Sequence, residues 1–181
     1  MKALNEEDAK LFYILWKPLL DYVNKKMRVN HLKDIAHASC LIPEEVKEIA
    51  SVLWDDTSII DEYLADEGSR LTVRECCIVA SWKNCINGNF IMERHLKKGT
   101  ILIGENNEVY QVSGIISSFK EMFEGMPMPL MIKATLLPFE DVIITDGLIM
   151  SYPMMIGSGM KQMLKDTYMD AKTEGRIITR L

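Results

Sequence analysis

Long hydrophobic runs are missing from this chain. Its 181 residues are 48% apolar and 26% charged, with a mean hydropathy of +0.01. No apolar stretch approaches the roughly 20 residues that a membrane-crossing helix requires. The start, Met1-Lys2-Ala3-Leu4-Asn5-Glu6-Glu7-Asp8, has neither the basic beginning nor the apolar centre of a signal peptide. A cytoplasmic protein that engages no membrane is expected. Histidine is scarce (His31, His37, His95), and the four cysteines, Cys40, Cys76, Cys77 and Cys85, form no Cys-x-x-Cys pair. Metal-ligand spacing is therefore lacking, and no metal or other cofactor is expected. Adjacent Cys76 and Cys77 do not suit a disulfide scaffold, so the thiols are read as small buried apolar groups. Positive charge is also short: 21 basic against 26 acidic residues, net −5, with a pI near 5.3. Nucleic-acid binding needs concentrated Lys and Arg, so nucleic acid is not an expected partner.

What the first half has is helical periodicity. Phe12, Leu15, Trp16, Leu19, Val23 and Met27 recur at spacings of three and four, which predicts a helix over residues 6–27, with Pro18 kinking or splitting it. A second helix should start at Pro43, where the missing N–H costs nothing. Ile59, Ile60, Tyr63 and Leu64 mark a third, capped by Thr57 or Ser58 and ending near Gly68. Thr72-Val73-Arg74-Glu75 is a capping box that opens a fourth, carrying Cys76, Ile78, Val79, Trp82 and Ile86.

From Asn87-Gly88 the period turns to alternation. Residues 90–96, 100–104, 108–115 and 130–137 read as short strands separated by tight turns, the pattern of a small antiparallel barrel or bent sheet. Residues 117–125 read as one or two helical turns. Two apolar runs flank Asp146-Gly147, a strong hairpin signal that Tyr152-Pro153 would end. Neither run alternates cleanly, so both are expected to be covered on two faces. Met160, Met163, Leu164, Tyr168 and Ala171 predict a closing helix over about 160–172, stopped at Gly175, and Ile177-Ile178 a last short strand. The expected fold is α+β: a helical region, 1–86, packed on a mostly antiparallel barrel or bent sheet, 87–181, closed by a C-terminal helix.

Three patterns touch on chemistry. Gly157-Ser158-Gly159-Met160-Lys161 is a glycine-flanked helix start, the geometry that binds anions through free N–H groups, although Ser158 as an ordinary N-cap is the first reading. If the chain has an anion site, Gly157, Ser158, Gly159 and Lys161 form it. Residues 32–50 have the apolar spacing of a helix-turn-helix through Ala36, Val46 and Ile49. The second helix, however, would aim Glu44, Glu45 and Glu48 at phosphates. Asp141 and Asp146 are explained by turn chemistry. No Ser/His/Asp or Cys/His constellation stands out, so no catalytic residue is assigned and an enzyme is not expected. The thirteen methionines serve either as core filler, the first reading, or as an adaptable binding surface.

Ser81-Trp82-Lys83, Gly88-Asn89-Phe90-Ile91, Val109-Tyr110-Gln111-Val112-Ser113-Gly114, Leu136-Leu137-Pro138-Phe139 and Ile143-Ile144-Thr145-Asp146-Gly147-Leu148 together carry a resemblance, as do Gly157–Lys161, Tyr168–Lys172 and Gly175–Thr179. Over roughly residues 75–181 the chain resembles an uncharacterised family of bacterial proteins, chiefly from Firmicutes. Some members of that family carry a Cys-rich SEC-C zinc-binding tail. The sequence to Leu181 shows none, so the resemblance implies no zinc, and the family brings no activity. The leading expectation is a non-catalytic binding module whose partner is another protein or itself. The alternatives are a DNA-binding regulator using residues 32–50 and a small-molecule enzyme with its anion site at Gly157–Lys161.

Overall fold

The computed structural model describes residues 2–38, 40–152 and 154–181; Pro153, the expected end of the hairpin, lies outside them. The α+β class is borne out. The chain divides into two compact units, Glu6–Cys85 and Met1–Asn5 with Ile86–Leu181. The helical unit is thus an insertion, and the first residues belong with the barrel.

In the helical unit, α1 (Glu6–Met27) runs unbroken through Pro18. It buries the expected stripe, Phe12, Leu15, Trp16, Leu19 and Val23, while Met27 at its end is exposed. Helices α2 (Pro43–Asp55), α3 (Ile59–Glu67) and α4 (Val73–Ser81) follow. The core is aromatic. Trp16 stacks on Trp54 at 5.2 Å, and Trp82 stands edge-on to Phe12 and Trp16 at 5.8 Å from each. The capping box at α4 forms as its sequence predicts: the Thr72 hydroxyl accepts from the Glu75 N–H, and the Glu75 carboxylate accepts from the Thr72 N–H at 2.7 Å. The Thr72 N–H and then its hydroxyl hold the Glu75 carboxyl below its ordinary range.

Three expectations are corrected here. Ser58 precedes α3 without a side-chain cap, its own N–H and hydroxyl being taken by the Asp56 carboxylate. Helix α4 stops at Ser81, and one 3-10 turn, Trp82–Asn84, leads directly into a strand at Ile86. None of the four cysteines is buried; Cys40 and Cys77 are exposed, and Cys76 and Cys85 half-buried. On α4 it is Ile78 and Val79 that face inward, leaving Cys77 on the solvent side.

The barrel unit has β1 (Ile86–Leu96), β2 (Gly99–Ile103), β3 (Val109–Val112), a one-turn α5 (Phe119–Met122), β4 (Leu130–Phe139), β5 (Val142–Thr145), β6 (Met150–Tyr152) and α6 (Ser158–Thr173). The first half of β1 pairs with β4 and its second half with β2, the register breaking between Met92 and Arg94. One long bent strand thereby closes a five-stranded barrel in the order β1-β2-β3-β5-β4-β1, with β3 and β5 parallel and the other pairs antiparallel. This strand order, with a helix between β3 and β4, is that of the oligonucleotide/oligosaccharide-binding (OB) barrel. Phe90, Met92, Leu102, Tyr110, Val112, Ile132, Leu136 and Ile143 fill the interior. A capping box between Ser118 and Glu121 sets α5, which places Phe119 in the same core.

The hairpin turn is not at Asp146-Gly147. Phe139 pairs with Val142, so Glu140-Asp141 make the turn, with Glu140 at φ 50°. Asp146-Gly147 instead form a jog in a strand that continues along β4. Leu136 faces Thr145 and Lys133 faces Met150, so the outer strand gains two residues over its partner. Gly147 supplies the positive φ of 84°, and buried Asp146 accepts the Leu148 N–H at 3.0 Å. Turn chemistry was the right reading of the pair, and a bulge rather than a reversal is what it serves.

The free edge of β3 is covered in three pieces. Gly114, just beyond it, exchanges hydrogen bonds with Lys2 and Leu4; Ser113 donates to Ile143 of β5; and Ile178 pairs with Tyr110. A Cβ on Gly114 would lie 1.9 Å from the Ser117 carbonyl oxygen, so only glycine allows that approach. Leu181 and Ile178 rest against the barrel core.

His95, near the end of β1, is half-buried with Nδ1 2.9 Å from the Thr100 hydroxyl. Burial first, and Lys120 second, lower its pKa below 6.5. Above pH 6.5 both folded and unfolded chains hold it neutral. As the pH falls below that value the unfolded chain takes the proton first, so folding stability declines. An NMR titration should find His95 titrating below the ordinary histidine value of about 6.5, and His95→Gln should flatten the loss of barrel stability as the pH falls below that value.

Candidate functional site

The sequence points first to the start of α6. Gly157 is the N-cap, at φ −68° and ψ 162°, and makes no side-chain cap; Ser158, expected in that role, is the first helical residue, and the helix begins two residues before the expected Met160. Gly157, Ser158, Gly159 and Lys161 share one exposed turn. A Cβ on Gly157 or Gly159 would meet nothing within 4 Å. The four residues are together, on an open surface with no walls built around the N–H groups.

An OB barrel presents ligands with the outer face of β2 and β3. Here that face carries Ile101, Ile103 and Val109, and Leu164, Tyr168 and Ala171 of α6 cover it. Beside them the Arg94 guanidinium lies 4.2 Å over the Tyr168 ring, held by the two hydrogen bonds it donates to the Glu93 carboxylate, itself almost fully buried. Glu93 first, by hydrogen bond, raises the Arg94 pKa. The outer face is apolar core beneath a helix, without the aromatic platform and cations on which nucleotides stack.

Residues 31–55 hold one 3-10 turn, Ile35–His37, before α2, where the sequence suggests a short helix. Asp34 opens this turn in the left-handed region at φ 56°. The buried Asp21 of α1 pins it by accepting the Ile35 N–H at 3.2 Å. Glu44 and Glu45 lie in the first turn of α2.

That turn forms one wall of a groove of about 410 Å³ within the helical unit, which sequence reasoning did not find. Ile14, Pro18, Asp21, Tyr22 and Lys25 line its second side, at the spacing of one face of α1, and Tyr63, Glu67, Arg70 and Leu71 its third. The visible signal was there: Ile14, Pro18 and Tyr22 repeat at i, i+4, i+8 beside the buried stripe. Tyr22 and Tyr63 meet edge to face at 5.3 Å. Lys25 pairs with Asp21, and Arg70 with Glu67. The hydrogen bond and charge of Asp21, then the charges of Asp34 and Glu67, raise the Lys25 pKa.

Charge and methionine divide between the units. Residues 6–85 hold fifteen acidic and ten basic side chains, the barrel unit eleven of each, so the whole net charge of −5 sits on the helical unit. Among the described residues nine methionines are exposed, contrary to their reading as core filler. Five of them, Met150, Met154, Met155, Met160 and Met163, fall within fourteen residues of the barrel unit. Between Asp141 and Asp166 the only acid is Asp146, which is buried. Among the described residues, no group of three or more His, Cys, Asp or Glu is placed to hold a metal ion, and no helix is long and apolar enough to cross a membrane.

No protein-family model matches this chain, and no curated protein and no solved structure matches it either.

Proposed function

We propose that this protein is a cytoplasmic, non-catalytic binding module whose partner is another protein or a second copy of itself. The observation that carries the reading is the run of exposed methionines that falls between Met150 and Met163, with Met155 wholly in solvent. Methionine is unbranched and polarizable, so an exposed group of them adapts to a partner's apolar side chains, and clustered exposed apolar surface of this kind marks interaction sites. The free edge of β6 begins the same segment: β6 ends the strand order and pairs only with β4 among the described residues.

The test compares the wild-type chain with Met154→Gln/Met155→Gln/Met163→Gln, three exposed positions whose change leaves the core intact. Each is used to capture partners from host lysate and is sized by light scattering. A protein, or a self-association, held by the wild-type chain and reduced at least tenfold in the variant is the expected result. Identical capture and identical mass for both chains refute the reading.

A further inference from the structure

A smaller cavity, of about 220 Å³, opens in the barrel wall where β1 parts from β2. The strand register creates it. β1 pairs with β4 from Ile86 to Met92 but with β2 only from Ile91 onward, so residues 86–90 have a neighbouring strand on one side only among the described residues. The β2–β3 loop, residues 104–108, lies across that open side, and Asn89 ties to it by donating Nδ2 to the Glu105 carboxylate at 3.3 Å. The cavity is at the end of β2 remote from the β1–β2 turn, and no residue of α6 lines it.

The groups it offers are acceptors, and their charge is uncompensated. Glu105 and Glu108 line the cavity, and no lysine or arginine does. Among the described residues neither carboxylate takes part in an ion pair, and Lys133, opposite Asn89 on β4, stands outside the lining. Their partners are neutral: the Asn89 amide on Glu105, and the N–H and Nδ2 of Asn106 on Glu108, both at 3.2 Å. Its own backbone N–H, ahead of Asn106, holds the Glu108 carboxyl below its ordinary range. With Nδ2 engaged, each of these two amides presents its Oδ1 atom.

A buried hydroxyl completes the set. Tyr110 is 5% exposed and lines the cavity, and its hydroxyl has no hydrogen-bond partner among the described residues. A Cβ on Gly104 would lie 3.4 Å from Cε2 of that ring and 3.0 Å from the Glu108 Oε2, so the hydroxyl end of the ring sits on the loop side of the cavity, beside Glu108. Buried polar groups are ordinarily paired, and an unmet one at a cavity wall calls for a ligand atom. The rings themselves offer no face to a sugar, because Phe90 and Tyr110 are buried edge to face at 5.9 Å. The volume equals the share of about seven liquid waters, room for a small head group and a short stem. We propose that this cavity binds a guanidinium or primary ammonium group on a short alkyl stem, its N–H groups donating to Glu105, Glu108 and the Tyr110 hydroxyl and its stem resting on Ile86. The cavity shares no residue with the methionine segment, so either reading can fail alone.

The probe is butylguanidinium, titrated into the full chain and followed by two-dimensional amide NMR, with butylamine, glucose and calcium chloride as comparisons. Saturable shifts centred on residues 86–90 and 104–110 are expected, and binding should weaken as salt rises. Glu105→Gln/Glu108→Gln should weaken it at least tenfold and Tyr110→Phe at least threefold. Tyr110→Phe removes only an unpaired hydroxyl, so its Tm should equal or exceed that of the wild type, which separates lost binding from lost folding. Nα-acetylarginine amide identifies the source of the group. Binding as tight as butylguanidinium assigns the cavity to an arginine side chain of a partner, and weaker binding assigns it to a free guanidine or amine. Absence of saturable shifts with both cations, or equal binding by the wild type and the double glutamine variant, overturns the proposal. Glucose or calcium moving the same amides at equal or lower concentration overturns it in favour of a polyol or a metal ion.

Discussion

Deleting Ile177 through Leu181 should destabilise the barrel by about 3–5 kcal/mol, which at the usual scaling for a domain of this size lowers its Tm by roughly 15–30 °C. Ile178 donates its N–H to the Val109 carbonyl at 2.8 Å and accepts from the Gln111 N–H at 2.9 Å, so the tail completes an edge that β5 meets only at Val112. Its side chain and that of Leu181 lie against the barrel core. Losing two backbone bonds removes about 1 kcal/mol each, and exposing two partly buried aliphatic side chains removes about as much again for each. Arg180 supplies the control. Its ion pair with Asp141 at 3.0 Å is solvent-exposed on both sides, so Arg180→Ala should change stability by under about 1 kcal/mol. Thermal melts of the three chains check both numbers. Equal Tm values for deletion and wild type would show that the strand edge closes without the tail.

Trp82 should tolerate phenylalanine and not alanine. Its side chain is fully buried between Phe12 and Trp16, and its indole N–H has no hydrogen-bond partner among the described residues. Trp82→Ala leaves a cavity where three rings meet and should cost about 3–5 kcal/mol. Trp82→Phe loses less volume and removes a buried donor whose unmet desolvation is worth about 1–3 kcal/mol, so the two changes offset to within about 1 kcal/mol. Urea denaturation of both variants measures the contrast. A phenylalanine variant as damaged as the alanine one would mean that the indole N–H is satisfied in solution.

The legible features of this chain are local ones. The capping box at Thr72-Glu75, the apolar stripe of α1 and the change of period near Asn87 depend on neighbours three or four residues apart, and the structure has them. A second capping box, Ser118-Phe119-Lys120-Glu121, has the same signature and sets α5. Misreadings arise where a residue's role depends on a distant strand. Asp146-Gly147 can make a reversal or a bulge, and the register of β4 against β5 decides which. Glu140 carries the positive φ that turn rules assign to Asn or Gly, at the first position of the two-residue turn that the pairing of Phe139 with Val142 creates. Met160 and Met163 share a helix with Leu164 and Tyr168, yet the covered stripe falls on Leu164, Tyr168 and Ala171. The expected site at Gly157–Lys161 was readable as a helix start and nothing more. The groove brings together α1, the turn at Ile35 and the α3 end, from positions as far apart as Ile14 and Leu71, and no linear spacing encodes that.

The covering of the β3 edge by an N-terminal piece, an internal strand and a C-terminal tail has a temporal consequence. On a ribosome the helical unit is one uninterrupted stretch, rich in near-neighbour contacts, and can collapse as soon as Cys85 has emerged. Lys2 and Leu4 must then wait about 1.5–6 s for Gly114, and the edge at Tyr110 is covered only when Ile178 follows, about 5–20 s after Cys85. During that interval the barrel strands exist with one margin uncovered while the helices are already formed. Nascent-chain proteolysis should find the first unit protected long before the second, and the second becoming protected only once residues 177–181 are free of the tunnel.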